Sequence, residues 1–363
     1  MSTLILRRPD DWHLHVRDGA ALRAVIGFTA ARFARAIIMP NLKPPVTTTA
    51  LALAYRQRIL DALPAGSPFQ PLMTLYLTDR TDPAEVDRAK ASGHVQGFKL
   101  YPAGATTHSD AGVTDVKHIH GVLERMSEVD VVLQVHGEVT DPDVDVFDRE
   151  ARFIDRVLAP LVQRYAKLRI VFEHITTRQA VEFVHSARAG VAATITPQHL
   201  LFNRTAIFTG GIRPHYYCLP VLKTETDRVA LVQAAISGDP RFFLGTDSAP
   251  HARHTKEAAC GCAGIFSAHA AIELYAEAFE AAGALDRLQG FACEFGADFY
   301  RLPRNVGQIK LVKEGWAVPE ELPFGSTQAL AARPGTRAET LVPLRAGERL
   351  AWRLVSETDR VRA

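Results

Sequence analysis

Polar side chains capable of chemistry interrupt apolar runs at a few places in this chain: His13 and His15 in DWHLHVRDG, Lys99 in VQGFKLYP, His136 in VDVVLQVHGE, His174 in RIVFEHIT and Asp247 in RFFLGTDSA. Residues two apart on an extended chain share a face. His13 and His15 therefore point the same way with Leu14 turned outward, and the pair can chelate one ion. Taken alone this is a weak motif, because most strand histidines are hydrogen-bonded parts of a core. Four histidines and an aspartate closing separate apolar runs are not explained that way. Imidazole nitrogen with carboxylate oxygen suits zinc, and to varying degrees manganese, cobalt, nickel or iron. A catalytic zinc keeps one position open for water, and a pair of metals makes a bridging hydroxide available at neutral pH.

Lys99 is the unusual member. An ammonium has three donors and no acceptor, so it cannot ligate a metal, and burying it unpaired beside dications is costly. If the amine loses a proton and adds carbon dioxide, the carbamate becomes a carboxylate-like bridge with one oxygen for each metal. The alternative is a lysine that pairs with a phosphate or carboxylate of the substrate, and spacing alone leaves both open.

The elements that must gather these residues are legible. Apolar or β-branched runs fall at 4–15, of which the strand itself is only a part, 35–41, 70–78, 95–102, 129–138, 169–176, 190–200 and 241–249. Stretches with helical spacing separate them: 20–34, 47–63, 82–92, 114–128, 147–166, 177–189 and 224–237. Nearly continuous apolar strands alternating with helices predict a parallel sheet covered by helices, and eight such units close a (β/α)8 TIM barrel. An open doubly wound sheet is weakened by the lack of GxGxxG after the first strand. The chemistry-bearing residues then all sit at C-terminal strand ends, where such barrels build active sites. Residues 254–282 read as a loop feeding a long eighth helix. We expect one domain over 1–363, with the barrel at about 4–282 and an irregular C-terminal extension, about 283–363, packed beside it.

Composition narrows the partners. The chain has 363 residues, 47% of them hydrophobic and 23% charged, as in an ordinary soluble globule. Lys plus Arg number 42 against 40 Asp plus Glu, with no basic run interleaved with aromatics, which argues against nucleic acid and for a small-molecule substrate. No signal-like or membrane-spanning run is present, so a cytoplasmic protein with no membrane partner is expected. Four cysteines are too few and too uneven for a disulfide framework. The pair Cys260 and Cys262 in CGC reads as a bystander, and His199 in TPQHL as either a tuning or a structural histidine.

The set HLHVRD, MPN, GFKLYPAGATT, VHGE, FEHITT, ATITPQHL and GTDSAPH, in this order, resembles the amidohydrolase superfamily and, within it, dihydroorotases of the shorter bacterial type. The resemblance implies two Zn2+ per subunit: His13, His15 and Asp247 on one ion, His136 and His174 on the other, with N6-carboxylated Lys99 and a hydroxide bridging both. It implies reversible cyclisation of N-carbamoyl-L-aspartate to dihydroorotate in pyrimidine biosynthesis, with Asp247 as the catalytic acid–base. A homodimer is also implied. Arg17, two residues past the ligand pair, would supply a planar fork for the substrate carboxylate, with Asn41 and His251 completing the clamp. His15 and His136 would also touch substrate. The backbones near Leu219 and Ala263 would contact the ring, and Thr106 and Thr107 would donate from the loop 103–112. Two other readings compete: a hydantoinase or dihydropyrimidinase acting on a neutral ring, and a non-catalytic barrel, which should have lost ligands.

Overall fold

The stretch around residues 4–15, only part of which is expected to be the first strand, holds two strands. They are β1 (Thr3–Arg7) and β2 (Asp10–Leu14), in a computed structural model that describes residues 2–325 and 339–355. Pro9 ends the first, and the chain turns into the barrel at Asp10. From there eight strands pair in parallel and in chain order: β2, β3 (Arg35–Ile38), β4 (Gln70–Tyr76), β5 (Val95–Leu100), β6 (Val132–Val135), β7 (Ile170–Phe172), β8 (Val191–Ile195) and β9 (Phe242–Leu244). A parallel bridge between Leu14 and Ser248 brings the ends together. His15 N donates to Ser248 O at 3.0 Å and Asp247 N to His13 O at 2.9 Å, so the first and last strands meet at the residues of interest.

Helices cover the outside. Gly19–Arg32, Thr49–Ala62, Ala84–Ser92, His120–Val129, Arg178–Ser186, Glu225–Ile236 and Ala271–Ala281 fall within or close to the expected spans. Several of their starts carry side-chain caps: Thr48 accepts from Leu51 N, Thr177 from Ala180 N, and Thr224 with Asp227 forms a reciprocal capping box. The helix expected over 147–166 is interrupted by a π turn at Ile154–Leu158, just before Pro160, which has no N–H to give to the preceding turn.

Inside the barrel Trp12, Ile37, Val132, Val171 and Phe243 form a layer of side chains, closed from below by Ala297 and Tyr300 of the short helix Phe295–Tyr300. The Tyr300 ring stacks on Trp12 at 4.7 Å. Above it, Thr74 Oγ1 donates to Gln134 Oε1 at 2.6 Å and Gln134 Nε2 to Tyr300 Oη at 2.9 Å. The lower barrel is therefore filled, and only the C-terminal end can hold a ligand.

The C-terminal extension does pack beside the barrel, and it recruits the N-terminus. β1 pairs antiparallel with β10 (Gln308–Ala317), and a small pair, β11 (Leu322–Pro323) with β12 (Thr340–Leu341), precedes β13 (Arg349–Leu354) on the other edge of β10. Leu6, Ile309, Leu311, Leu350 and Trp352 are buried, so this sheet hides one alternating face. Residues 326–338 and 356–363 of the expected irregular extension lie outside the described residues. Among the described residues no helix is long and apolar enough to cross a membrane.

Candidate active site

His13 and His15 sit at the end of β2, and both rings face into the barrel mouth as period two demands. His13 Nε2 is 3.3 Å from His15 Nε2, and Asp247 Oδ1 lies 3.4 Å from the first and 3.1 Å from the second. Donors about 2.0–2.1 Å from a tetrahedral zinc stand about 3.3 Å from one another. These two imidazoles and one carboxylate thus already span one face of such a tetrahedron, and among the described residues they are the one His, Cys, Asp or Glu triad grouped closely enough to hold an ion. Gly245 makes room for them: a Cβ there would lie 3.1 Å from His13 Cβ and 2.8 Å from Thr194 Cβ.

The other predicted ligands adjoin this triad. The His174 ring is 4.8 Å from His13 and 4.9 Å from His136, edge to face in both cases. Glu138 binds His136 Nε2 at 2.8 Å, which leaves Nδ1 as that ring's remaining nitrogen. Lys99 is wholly buried on β5, and its Nζ has no hydrogen-bond partner, the Tyr101 ring centroid being 5.2 Å away. A second ion would take His136 and His174 and needs a third donor, which Lys99 can supply only after modification.

Protonation fits a metal. Burial pulls His15 down to about 4, holds His136 below and His174 well below the ordinary imidazole value, and brings Lys99 down to about 8. Burial opposes ionisation of Asp247, yet contacts from His13 and His15 hold its carboxyl well below the usual range. Neutral imidazoles, an ionised carboxylate and an amine that loses its proton near neutrality are what ligation and carbamate formation require. His13 is the exception: burial and Lys99 push it down, but the carboxylates of Glu173 and Asp247 outweigh them, and a metal would displace that proton.

Arg17 and Asn41 of the predicted clamp line the same cavity, about 340 Å³, with Tyr101, Thr106, Thr107, Leu219, Ala263 and the four predicted ligand histidines, while His251 does not line it and reaches it through Arg17. Arg17 Nε donates to Pro250 O, and its Nη2 lies 2.9 Å from His251 Nε2. His251 Nε2 is also 2.9 Å from Ala263 O; it either accepts from Arg17 or donates to that carbonyl, not both. Asn41 Nδ2 donates to Thr107 O and Thr107 Oγ1 to Ala263 O, which ties the 103–112 loop across the mouth. Two wider clefts, about 1360 and 1490 Å³, lie elsewhere and contain none of the triad.

Backbone strain collects here. Arg17, His174 and Asp247 have φ of 60°, 41° and 45°, a region that costs about 1–3 kcal/mol per non-glycine residue and persists where surroundings enforce it. The enforcers are visible: His174 N donates to Thr194 Oγ1, Asp247 N to His13 O, and Tyr55 Oη to Arg17 O.

Several supporting residues escape sequence reading. Glu173, fully buried, has Oε2 3.0 Å from His13 Nδ1 and accepts from Thr194 Oγ1 at 2.6 Å. Asp11, without a role from sequence, accepts from Thr246 N, Thr246 Oγ1 and His13 N, and joins the first and last strands. Tyr101 puts an unpartnered buried hydroxyl beside the cavity. The usable signal was an acid or tyrosine next to, or two residues from, each ligand: Glu173 before His174, Glu138 after His136, Tyr101 after Lys99.

His199 lies in the short helix Pro197–Leu201, its ring between Thr196 Oγ1 and Pro220 O, as a hydrogen-bonded structural histidine would. Cys218 and Cys293 are buried small hydrophobes, whereas Cys260 is exposed, with its sulfur 3.8 Å from that of Cys262.

Residues 3–335 match the amidohydrolase family. The chain is similar to a dihydroorotase from Laribacter hongkongensis, 65% identical over 98% of this chain and 99% of that protein. Its fold is similar to the crystal structure of dihydroorotase from Campylobacter jejuni, with TM-score 0.86, 34% identity and 97% of both chains covered. It is also similar to dihydroorotase from Saccharomyces cerevisiae in complex with 5-fluoroorotic acid, with TM-score 0.87, 32% identity and coverage of 98% and 99%.

Proposed function

This chain belongs to the amidohydrolase family, and we propose that it catalyses the dihydroorotase reaction, the metal-dependent, reversible cyclisation of N-carbamoyl-L-aspartate to (S)-dihydroorotate and water, third step of de novo UMP synthesis. The observation that carries the reading is the coincidence, in one cavity, of the His13–His15–Asp247 triad and the Arg17 fork. Relatives named dihydroorotases that match nearly the whole length, one of them holding a pyrimidine carboxylate, support it.

His13, His15 and Asp247 would hold one zinc ion, His136 and His174 a second, and carboxylated Lys99 would serve both. Bound zinc supplies Lewis acidity toward the amide carbonyl and lowers the pKa of water. The rest is the chain's own work. Arg17 pairs with the exocyclic carboxylate through its planar donors, with Asn41 and His251 beside it. Leu219 and Ala263 offer backbone groups to the ring edge, while Thr106 and Thr107 donate from the loop that covers the mouth and excludes water. His15 and His136 line the same wall. In the hydrolytic direction water adds OH to the ring carbonyl carbon as the C–N bond breaks; Asp247 takes its proton and returns it to the departing nitrogen. Ring closure runs the same transfers backwards. Glu138 and Glu173 orient His136 and His13.

The carboxylate clamp favours dihydroorotate over the neutral rings of a hydantoinase or dihydropyrimidinase, and the filled ligand positions argue against a non-catalytic barrel. The test is turnover of dihydroorotate and of dihydrouracil by purified protein, before and after chelation, with metal analysis. Dihydroorotate should be turned over and chelation should stop it. Activity on dihydrouracil alone would overturn the substrate, and fewer than two metals per chain the binuclear centre. A homodimer in the cytoplasm completes the reading; sedimentation reads the first and cell fractionation the second.

A further inference from the structure

One buried cation near the cavity has no part in the steps above. Lys256 ends the short helix Arg253–Lys256, is only 3% exposed, and among the described residues has no carboxylate partner. Its ammonium donates instead to three main-chain carbonyls, Tyr217 O at 2.7 Å, Cys262 O at 2.9 Å and Gly264 O at 2.7 Å. Three donors meet three acceptors, which is the full capacity of the group.

Those carbonyls belong to two segments far apart in sequence, and each supplies a wall of the cavity: Leu219 from one, Ala263 and Gly264 from the other. Apart from Lys256, Gly264 N donating to Tyr217 O at 3.0 Å joins them. The second segment is also pressed against the clamp. Gly264 has φ 150°, and a Cβ there would stand 2.7 Å from Ala249 O and 2.8 Å from His251 Cδ2. On the cavity side, Thr107 Oγ1 donates to Ala263 O. The Ala263 peptide is thus held from above by the lid and from behind by Lys256. An unpaired ammonium is a costly way to join two loops, and burial already draws this one down to about 8. What it provides is three bonds from one point, whose directions set where both peptides face.

We propose that Lys256 is a positioning residue for substrate recognition: its three N–H groups lock the 217–219 and 262–264 segments in the register that presents their backbone to the ring amide edge, and so it governs substrate affinity without touching the reacting atoms. The inference rests on the dihydroorotase reading above.

The test compares wild type with Lys256→Met, which keeps length and removes all three donors, and with Lys256→Gln. Steady-state kinetics on dihydroorotate, metal content and amide hydrogen exchange over 262–264 are measured on each. Folded K256M should raise KM by roughly tenfold or more with kcat within about threefold, the pattern of lost binding rather than lost chemistry. Metal content should be unchanged, and the Gly264 amide should exchange faster. K256Q, with two donors, should fall between. A KM within about twofold of wild type in a folded variant, or loss of metal and kcat at constant KM, overturns the proposal. If K256M does not fold, K256Q is judged by the same numbers; failure of both assigns Lys256 to stability alone and overturns it too. Wild type inactive on dihydroorotate would strike the reaction instead, and the exchange result would then decide whether Lys256 holds the two segments.

Discussion

Glu173 should control metal affinity from outside the ligand set. Its Oε2 lies 3.0 Å from His13 Nδ1 and accepts from Thr194 Oγ1 at 2.6 Å, and that same Oγ1 accepts from His174 N at 2.7 Å. One buried oxygen thus steadies ligands of both proposed ions. Glu173→Gln keeps the shape. To preserve the Thr194 bond and the His13 contact its amide oxygen must take the place of Oε2, because an NH2 there would face two donors. The cost at His13 is then the difference between a charged and a neutral acceptor, about 1–1.5 kcal/mol, or roughly tenfold in affinity. Glu173→Ala removes the acceptor and frees the His13 ring to adopt the tautomer with Nε2 protonated, which cannot ligate; that should cost up to about 100-fold. Competition with a chromophoric chelator measures both, with circular dichroism as the folding control. A folded E173A whose metal affinity is within about twofold of wild type would refute the argument that this oxygen orients the ring.

Other outcomes follow from the same geometry. Arg17→Met should raise KM for dihydroorotate by about 10–100-fold through loss of charged hydrogen bonds, with a far smaller effect on any residual dihydrouracil turnover. Lys99→Met should lose the second metal and nearly all activity, and native mass spectrometry should find the carbon dioxide adduct on wild type but not on the variant. Burial raises the Asp11 carboxyl to about 7, so the folded state holds its proton where the unfolded chain has released it. Stability from this group is present below about pH 4 and is lost as pH rises through about 7, by up to roughly 4 kcal/mol. In chelated protein, denaturant unfolding of wild type should show that decline between about pH 4 and 7 and Asp11→Asn should flatten it; parallel pH curves would contradict it.

Much of the fold and site could be read in advance, for identifiable reasons. A strand buried on both faces shows itself as an apolar run, so the eight barrel strands were visible although their ends were not. Period two put His13 and His15 on one face, and polar residues closing apolar runs marked His136, His174 and Asp247. That the stretch 4–15 holds two strands was not legible because no helical stretch separates them, and the pairing of the first with β10 depends on residues about 300 positions later. The supporting shell was less visible. Glu173 reaches His13 only because the barrel curves the end of β7 toward β2. Lys256 reads from sequence as an exposed basic residue in HTKE, and nothing local says that three carbonyls surround it.

By itself, then, the order of residues determined the strand and helix periods, the ligand types and the presence of a guanidinium two positions past the first ligand pair, since these depend on neighbours along the chain. The tertiary structure alone decided that His13 and Asp247 stand 3.4 Å apart, that Lys99 lies buried without a partner, and that Arg17 and Ala263 line one cavity with His251 Nε2 2.9 Å from each. Barrel closure is the reason. It joins the first strand to the last, brings residues more than 200 positions apart into contact, and excludes the water that would otherwise set their charges.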